Sequence, residues 1–520
     1  MEQRILQSLL VPSAYPEPTT SVNLVQTHVS FLFITDNFVY KIKKPVELGF
    51  LNFTTLDRRR FYCDEEVRLN RRLCPDMYLG VIEVRESLGG ALFNGQGKVI
   101  DYAVKMKRLP EERMLDRLLR EGNVTDDDIR RIARTIGEFH LTAVQGEEIN
   151  GYGSTTSIRL NWDENFQQIT EFVPLVITKR DLHIIMDWVD IFLSEHEGLF
   201  AERISRGHIR DCDGDIHMEN ICLADHIYIF DCIEFNNRFR YSDTAADIAF
   251  LLMDFDFHER RDFSGIFLSE YIEITGDRNV IMVLDFYKIY RAFVRGKVES
   301  FRLLDPNIPE DEKRTAQERA TRYFLLARGY VIRSKLPSAL VITCGLMGSG
   351  KSRLASALAF ELGMELYSSD AMRKKIAHLS EFSHDFSEYG KGIYSAGFDE
   401  ATYDNLLARA EKALVAGQRV IIDATFRKKN NRLLFRALAE KLAVPFYIVV
   451  TVCPEYIAKE RLEERMKSPC TVSDGRWELF RKQAEDFELP AADEERLICV
   501  DTSLPTRDTI DTILNAMEIL

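Results

Sequence analysis

The pattern of hydrophobic and polar residues changes several times along the first three hundred residues. Between about residues 26 and 46, apolar and polar positions alternate on both sides of a "TDN" turn, which predicts two paired strands. The next segment, "TLDRRRFYCDEEVRLNRRL", has helical spacing and predicts Phe61, Val67, Leu69 and Leu73 as buried positions. Two further strand-like pieces, "YLGVIEV" and "DYAVKMKRL", lie on either side of a glycine-rich turn at 89–97.

From about residue 122 the pattern is mostly helical up to about Arg333. Thr125, with Asp128 three residues later, is typical of a capping box in which Asp replaces the usual Glu or Gln. A short strand-loop-strand segment between Asp215 and Asp231 interrupts the helices. This order of elements predicts a first module in which strands come before helices.

After a short linker, "SKLPS", strands and helices alternate. "ALVITCGLMGSGKSRLASALAFELG" reads as a buried strand, a glycine loop and a helix, and "QRVIIDATF" and "VPFYIVVTVC" are further apolar strands. Alternation of this kind predicts a parallel sheet. We therefore predict two domains, residues 1–335 and 336–520.

Composition agrees with a globular protein and narrows the compartment. Of the 520 residues, 46% are hydrophobic and 29% charged, and there is neither a long apolar run nor an N-terminal pattern typical of a signal peptide. The nine cysteines form no CxxC pair, so we expect buried, reduced thiols and no zinc site. These features predict a cytoplasmic protein without membrane contact, and the net charge of −14 disfavours extensive nucleic-acid binding.

The strongest motif is "GLMGSGKS", which fits the phosphate-binding pattern G-x-x-x-x-G-K-[ST] between a strand and a helix. Its glycines allow backbone N–H groups to surround phosphate oxygens, and the following helix N-terminus favours an anion. Lys351 is expected to neutralise the β- and γ-phosphates, and Ser352 to ligate Mg²⁺. The predicted nucleotide-binding residues of this loop are Gly345, Gly348, Ser349, Gly350, Lys351 and Ser352.

Two acidic residues follow predicted strands of the same domain. Asp370, with Arg373 three residues later, is expected at the strand end that faces the glycine loop, where it would accept the proton of an acceptor hydroxyl while Arg373 holds an anion. The competing interpretation is that Asp370 only caps the next helix. Asp423 ends another apolar strand, where it would contact Mg²⁺ through water or bind the acceptor.

Basic residues after these strands have two interpretations each. Arg427, Lys428, Lys429 and Arg432 form either a solvated helix start or a small anion-binding patch. Arg461 and Arg465 lie one helical turn apart, either as a lid that closes over ATP and stabilises the transferred phosphoryl group, or as part of a surface salt-bridged helix.

Residues from about 340 to 520 resemble the P-loop predicted kinases, near polynucleotide 5′-hydroxyl kinases and zeta-toxin-like kinases. The resemblance rests on "GLMGSGKS", on the D-x-x-R of Asp370 and Arg373, on "IIDATF" and on the arginine-bearing segment. It implies that Asp370 is the general base for phosphoryl transfer to a hydroxyl, and it leaves the acceptor open among a polynucleotide 5′ end, a nucleoside or another small molecule.

Residues from about 20 to 335 resemble the aminoglycoside phosphotransferase branch of the protein-kinase-like fold. The resemblance rests on "VYKIKK", on "DGDIHMEN" and on "IYIFDCIEF", and it implies ATP as the nucleotide. It implies that Lys41 contacts the ATP phosphates and is held by Glu66, with Glu65 as the alternative. It also implies that Asp215 orients the acceptor hydroxyl and that Asn220 and Asp231 hold Mg²⁺. The backbone from Met106 to Arg108 resembles the hinge that binds adenine.

Two departures from that family concern the same module. No glycine-rich loop comes before Lys41, and Asp213 stands where the family's H-G-D has histidine. Because the family's histidine braces the loop, we expect the chemistry to survive, with the pKa of one carboxyl group raised by repulsion between Asp213 and Asp215.

These observations predict an α/β and α+β chain with a protein-kinase-like bilobal module followed by a P-loop NTPase domain with a parallel sheet. The predicted activity is an ATP- and Mg²⁺-dependent phosphotransferase. Two alternatives remain: a first module that only binds nucleotide or a partner and regulates the second, and an ATPase switch without an acceptor. The acceptors, the choice between ATP and GTP, the coupling of the two sites and the oligomeric state are not defined by the sequence.

Overall fold

The chain divides into two compact units, Met1–Phe324 and Leu325–Leu520. The computed structural model describes residues 3–49, 51–87, 89–306, 308–380, 392–465, 467, 475–491, 494 and 496–520. Among the described helices, none combines the length and apolar character that a membrane crossing requires.

The first unit begins with an antiparallel sheet. Within the residues described, six strands follow the order β1-β2-β3-β6-β4-β5, and the first helices pack beside them. The strands are β1 (Asn23–Gln26), β2 (Ser30–Ile34), β3 (Phe38–Lys43), β4 (Tyr78–Ser87), β5 (Gly90–Phe93) and β6 (Val99–Lys107), and the helices are α1 (Gln3–Leu9) and α2 (Leu56–Asn70). The predicted hairpin around the "TDN" turn is confirmed as β2 and β3, whereas the predicted glycine-rich turn contains the additional strand β5.

The rest of the first unit is largely helical. Two short antiparallel pairs interrupt the helices: β8 with β9, at the predicted place, and β7 with β10, on either side of it and not predicted. The strands are β7 (Ile209–Asp211), β8 (Ile221–Leu223), β9 (Ile227–Ile229) and β10 (Tyr241–Asp243). The helices are α3 (Leu115–Arg120), α4 (Asp126–Thr142), α5 (Glu147–Asn150), α6 (Thr155–Ile169), α7 (Lys179–Glu195), α8 (Glu197–Ser205), α9 (Asn237–Arg240), α10 (Thr244–Phe257), α11 (Arg261–Thr275) and α12 (Val280–Phe301). Helix α13 (Glu310–Arg333) begins in this unit and ends in the second.

A predicted capping box and a predicted core residue have different outcomes. At the start of α4 the Thr125 side chain accepts from the Asp128 N–H, and the Asp128 carboxylate accepts from the Thr125 N–H, so the capping box is confirmed. The prediction that Phe61 is buried is wrong, because its side chain is 58% exposed. Helix α2 instead turns Arg59, Cys63 and Glu66 inward, toward the sheet.

The second unit is built on a parallel sheet with the order β12-β13-β11-β14-β15 in the described part of the chain. The strands are β11 (Leu340–Cys344), β12 (Glu365–Ser368), β13 (Val420–Asp423), β14 (Phe446–Val452) and β15 (Leu497–Asp501). The helices are α14 (Lys351–Leu362), α15 (Ser369–Ile376), α16 (Ala396–Val415), α17 (Lys429–Lys441), α18 (Glu455–Arg465), α19 (Trp477–Glu485) and α20 (Thr506–Ala516).

Side chains of β11 alternate between two apolar layers. Leu340 and Ile342 pack with α16 and α17 on one face, whereas Val341 packs with α14 and α20 on the other. Both faces of the central strand are therefore buried, as a parallel sheet with helices on both sides requires. This arrangement confirms the predicted P-loop NTPase architecture, and the first unit has the predicted protein-kinase-like order of a strand-rich part followed by a helical part.

The described cysteines are reduced, but not all of them are buried. Cys453 is half-buried and Cys499 is exposed, and Cys470 lies outside the described residues. The buried cysteines are Cys63, Cys74, Cys212, Cys222, Cys232 and Cys344. The expectation of buried thiols is therefore wrong for Cys499.

Candidate functional sites

The glycine loop of the second unit connects the buried strand β11 to helix α14. Gly348 and Gly350 have φ angles of +77° and +85°, in the left-handed region that favours glycine. A Cβ at position 350 would lie 2.8 Å from the Thr502 hydroxyl, so this position also requires glycine for space. The loop starts at Gly345, and the Ser349 hydroxyl lies 2.6 Å from the Thr451 hydroxyl, which ties the loop to β14.

Lys351 begins helix α14 and turns its ammonium group back over the loop. Its Nζ donates to the Leu346 carbonyl at 2.8 Å, and the residue is only 8% exposed. Burial lowers the pKa of Lys351, although Asp423 and Asp370 oppose this effect. The charge of Lys351 thus lies within reach of both acidic residues at the strand ends.

Asp423 and Asp370 lie at the same edge of the sheet. Ser368, the last residue of β12, pairs in register with Asp423, the last residue of β13, and Asp370 follows two residues later. Asp423 is 7% exposed and accepts hydrogen bonds from the Ser352 and Thr343 hydroxyls. Burial raises the pKa of Asp423, and the Ser352 hydrogen bond and Lys351 lower it only in part.

Asp370 is not the cap of helix α15. The N-cap is Ser368, whose hydroxyl accepts from the Ala371 N–H, so the Asp370 carboxylate remains on the first turn of the helix. Arg373 Nη1 lies 3.4 Å from Asp370 Oδ1, and its Nη2 donates to Asp399 on α16. The structure therefore brings Asp370 and Arg373 together next to the glycine loop.

The basic patch after β13 divides into two parts. Arg427 Nη2 donates to Asp399 Oδ2 at 2.5 Å, so two guanidinium groups share this carboxylate near Asp370. Lys428 binds Asp486 at 2.8 Å. Arg432, in contrast, is 1% exposed and donates to both oxygens of Glu494, so neither a solvated helix start nor an anion-binding patch describes it.

The two arginines of α18 approach the glycine loop. Arg461 donates to the Thr502 hydroxyl at 3.0 Å and to the Thr502 carbonyl at 2.6 Å, and the Thr502 hydroxyl donates to the Ser349 carbonyl. Arg465 is close enough to Lys351 to contribute to lowering its pKa, after the larger effect of burial. The predicted lid continues beyond Arg465 into residues 466 and 468–474, which lie outside the described residues.

In the first unit, Lys41 on β3 lies between two carboxylates. Its Nζ is 2.9 Å from Glu66 Oε1 and 2.6 Å from Asp231 Oδ1. Burial opposes the charge of Lys41, but Asp231 and Glu66 outweigh burial and raise its pKa well above the usual value. Glu65 pairs with Arg68 on the exposed side of α2, so Glu66 is the glutamate that contacts Lys41.

Polar side chains of the "DGDIHMEN" loop contact one another. Asn220 Nδ2 donates to Asp215 Oδ2 at 3.1 Å, which leaves the Asn220 carbonyl oxygen as a ligand atom. Burial opposes the negative charge of Asp215, but His217 and two arginines of α12 outweigh it and lower the pKa of Asp215. Asp231 has a φ of +66°, a conformation that Asp tolerates better than most residues.

Asp213 is the first residue of this loop and is buried. The residue is 1% exposed, and its Oδ1 accepts from the Asp215 N–H at 3.2 Å. Burial raises the pKa of Asp213 well above the usual value, followed by repulsion from Asp247, and Asp215 makes a smaller contribution. The expected repulsion between Asp213 and Asp215 is thus present but minor.

The segment from Met106 to Arg108 is partly used within the protein. Met106 pairs with Val39 on one side and Tyr78 on the other. The N–H groups of Lys107 and Arg108 donate to the carbonyls of Met77 and Asn37. An adenine contact here has to use other backbone atoms of the segment.

Several residues of these sites were not anticipated from the sequence. Lys43 contacts Glu66 and Glu234, Asp247 accepts the N–H groups of Asp213 and Gly214, and Asp399 bridges two arginines. Only Lys43 had a local signal, because it shares a strand face with Lys41 two residues earlier. The other three residues, Glu234, Asp247 and Asp399, come from distant segments of the chain.

The comparisons with known proteins agree with this geometry. Residues 340–490 match a family model described as "AAA domain". Together with the glycine loop, the parallel sheet and the Lys41–Glu66–Asp231 contacts, this match defines the class: a nucleotide-binding P-loop domain joined to a protein-kinase-like unit.

Curated relatives place the chain in a family. The uncharacterized protein Rv2004c of Mycobacterium tuberculosis (strain ATCC 25618 / H37Rv) is 30% identical over 419 residues, which cover 80% of this chain and 81% of the relative. The uncharacterized protein Mb2027c of Mycobacterium bovis (strain ATCC BAA-935 / AF2122/97) matches with the same identity and coverage. The chain belongs to the same protein family as these mycobacterial proteins.

Solved structures are also similar to parts of the chain. The GDP complex of wild-type aminoglycoside 2′-phosphotransferase-IIIa has 12% identity and a TM-score of 0.40, and covers 62% of this chain and 99% of its own. A gluconokinase from Sinorhizobium meliloti 1021 has 20% identity and a TM-score of 0.26, and covers 35% of this chain and 93% of its own.

Proposed function

We propose that the chain is an ATP- and Mg²⁺-dependent phosphotransferase with two kinase modules, and that the second unit transfers the γ-phosphate to a hydroxyl acceptor. The observation that carries this proposal is the register of β12 and β13, which puts Asp370 and Asp423 at one sheet edge beside the glycine loop. An acidic residue that is not used as a helix cap lies there within the electrostatic reach of Lys351.

Each residue of the second unit has a distinct role in this proposal. The loop N–H groups and Lys351 bind the phosphates, and Asp370 accepts the proton of the acceptor hydroxyl. Arg373 orients the acceptor, while Arg461 and Arg465 stabilise negative charge on the transferred group. Ser352 and Asp423 supply oxygen ligands, which fit Mg²⁺. Bound Mg²⁺ would neutralise phosphate charge.

The first unit is proposed to be a second catalyst. Lys41, held by Glu66, contacts the phosphates, and Asp215 orients a hydroxyl. The carboxylate of Asp231 and the amide oxygen of Asn220 are hard oxygen ligands that fit Mg²⁺. The support for activity is that Asp213 contacts the loop backbone, so its presence in place of histidine leaves Asn220 in contact with Asp215.

The test is transfer of labelled γ-phosphate from ATP to a panel of acceptors: 5′-hydroxyl DNA and RNA oligonucleotides, nucleosides, sugars and aminoglycosides. We expect Asp370→Asn to reduce labelling of the second unit's acceptor by at least about a hundredfold, in line with loss of a general base. Asp399→Asn, next to the site, serves as a comparison for charge removal without loss of the base. Equal labelling by the Asp370→Asn variant and the unaltered chain would refute Asp370 as the base.

The same panel separates the two alternatives. If Asp215→Asn leaves every labelling reaction intact while Asp370→Asn abolishes them, the first unit is a binding platform that regulates the second. If no acceptor is labelled and ATP turnover is unaffected by Asp370→Asn, the chain is an ATPase switch. Failure of all 5′-hydroxyl oligonucleotides would exclude a polynucleotide acceptor.

A further inference from the structure

A second lysine on β3 forms buried ion pairs beside Lys41. Lys43 is 1% exposed, and its Nζ lies 2.6 Å from Glu66 Oε2. The same Nζ donates to Glu234 Oε1, on the segment that follows Asp231. Lys43 thus connects strand β3, helix α2 and the segment after β9.

Glu66 is shared by the two lysines. Its Oε1 faces Lys41 and its Oε2 faces Lys43, so both oxygens of one fully buried carboxylate are engaged by ammonium groups. Burial opposes the charge of Glu66, but the two lysines outweigh burial and lower its pKa to about 2. The orientation of Glu66 toward Lys41 therefore depends on where Lys43 is held.

Glu234 holds Lys43 from the opposite side. Its segment is attached to the rest of the unit, because the Cys232 N–H donates to Asn70 on α2 and the Ile233 N–H donates to the Asp213 carbonyl. Charges alternate along the resulting series, which runs from the partly exposed Asp231 through Lys41 to the buried Glu66, Lys43 and Glu234. Removing one of these charged groups leaves the neighbouring charges incompletely neutralised where solvation by water is poor.

A general contribution to stability does not account for this arrangement. Replacing buried ion pairs by apolar groups is often neutral or stabilising, and a strand position facing Phe53 would accept an apolar residue. An apolar residue at position 43 cannot bind Glu66 Oε2. Without that contact both Glu66 oxygens are open to Lys41, which also binds Asp231. The geometry therefore links Lys43 and Glu234 to the position of the Lys41 ammonium group.

We propose that Lys43 and Glu234 are positioning residues that act through Glu66 to hold Lys41 where it binds nucleotide phosphates. This inference rests on the proposed nucleotide site of the first unit. It adds two residues that need not contact the nucleotide, and it predicts an effect confined to ligands that carry phosphates.

The experiment uses the full chain with Lys351→Ala, which removes the phosphate-binding lysine of the second unit. Affinities for ATP with Mg²⁺ and for adenosine are measured by calorimetry, with competition against a fluorescent ATP analogue for weak ligands. In this background we expect Lys43→Met and Glu234→Gln each to weaken ATP binding by about tenfold, within the range of couplings between contacting charges, and to leave adenosine binding within about twofold.

Lys288→Met is the matched control, because Lys288 Nζ lies 3.0 Å from Asp256 Oδ2 in another buried pair of this unit. We expect this variant to retain ATP affinity within about twofold. The double variant Lys43→Met with Glu234→Gln should weaken ATP binding no more than either single change, since both act on Glu66. If Lys43→Met does not fold, as judged by near-UV circular dichroism, the isosteric Glu234→Gln variant carries the test.

Three outcomes would overturn the inference. Unchanged ATP affinity in Glu234→Gln rejects it, and so does an equal loss of ATP and adenosine binding, which indicates a structural role. If the Lys351→Ala chain binds ATP no better than the same chain with Lys41→Met, the proposed nucleotide site itself fails, and the inference falls with it. The first two outcomes leave that site intact and are therefore distinguishable from the third.

Discussion

Asp213 shows how one residue can depart from a family pattern without disrupting the loop that it belongs to. Its side chain accepts the Asp215 N–H, and its own N–H donates to Asp247 at 3.0 Å. Asp247 also accepts from Gly214 and lies 3.1 Å from His140 Nε2, so the better-stabilised charge belongs to Asp247. Burial therefore raises the pKa of Asp213, whereas the pKa of Asp247 is lowered.

The raised pKa of Asp213 predicts a pH-dependent stability. Because the folded-state pKa of Asp213 is raised, its contribution is fully present below the usual aspartate pKa of about 4 and is lost as pH rises toward the raised value. We expect Asp213→Asn to gain unfolding free energy over the unaltered chain, by up to about 1.4 kcal/mol for each pH unit in that window, and little at lower pH.

Denaturant unfolding at several pH values measures this difference. A Trp477→Phe background restricts tryptophan fluorescence to Trp162 and Trp188, which belong to the first unit. Asp262→Asn, on the first turn of α11 and more than half exposed at its side chain, is the control for loss of one negative charge. A difference between Asp213→Asn and the unaltered chain that is the same at every pH contradicts the prediction.

At the scale of elements, helix α2 explains why hydrophobic spacing misplaced Phe61. The inward face carries Arg59, Cys63 and Glu66, because this face must supply a carboxylate to the lysines of β3. Arg59 in turn binds Asp101 at 2.8 Å on β6. When a helix turns polar site residues toward the interior, the positions of its hydrophobic residues no longer identify its whole buried face.

Two substitutions on this helix test that explanation. Both Phe61 and Leu69 were predicted to be buried, but Leu69 is 1% exposed whereas Phe61 is largely exposed. We expect Leu69→Ala to cost about 2–5 kcal/mol of unfolding free energy, and Phe61→Ala to change it by less than about 0.5 kcal/mol. Denaturant unfolding of the full chain in the Trp477→Phe background compares the two, and equal losses would show that both side chains pack in the core.

Helix α4 offers a matched test of a local interaction. Thr125→Ala removes the side chain that accepts the Asp128 N–H, and we expect a loss of about 1 kcal/mol in unfolding free energy. Thr135, a half-buried residue within the same helix, is the control, because its replacement by Ala removes no cap and improves helix propensity. The same unfolding measurement would contradict the prediction if the two variants lose equal stability.

At the scale of the whole molecule, two proposed nucleotide sites lie on two separate compact units. We expect titration calorimetry with ATP and Mg²⁺ to give two binding sites per chain. Lys351→Ala should remove one site and Lys41→Met the other, because each removes the lysine that binds phosphates. Lys288→Met should retain both sites, and a Lys351→Ala chain that binds no ATP would contradict a nucleotide site in the first unit.

Much of the fold was predictable because its signals are local. The glycine loop, the apolar strands of the second unit, the hairpin of β2 and β3 and the capping box of α4 are all encoded within a few residues of one another. The short strand β5 was missed because its four residues lie inside a glycine-rich stretch, where turn signals dominate.

The sequence by itself predicted candidate residues for the chemistry, since the strand lysine, the loop acids and the glycine loop have recognisable spacings. Only the tertiary structure decided how they are supported. It selected Glu66 over Glu65 by the face of α2, replaced Asp370 by Ser368 as the helix cap, and brought Glu234 to Lys43 across 191 residues of chain. Buried charges require partners, and those partners come from whichever segments the folded chain brings near, which no local pattern of residues records.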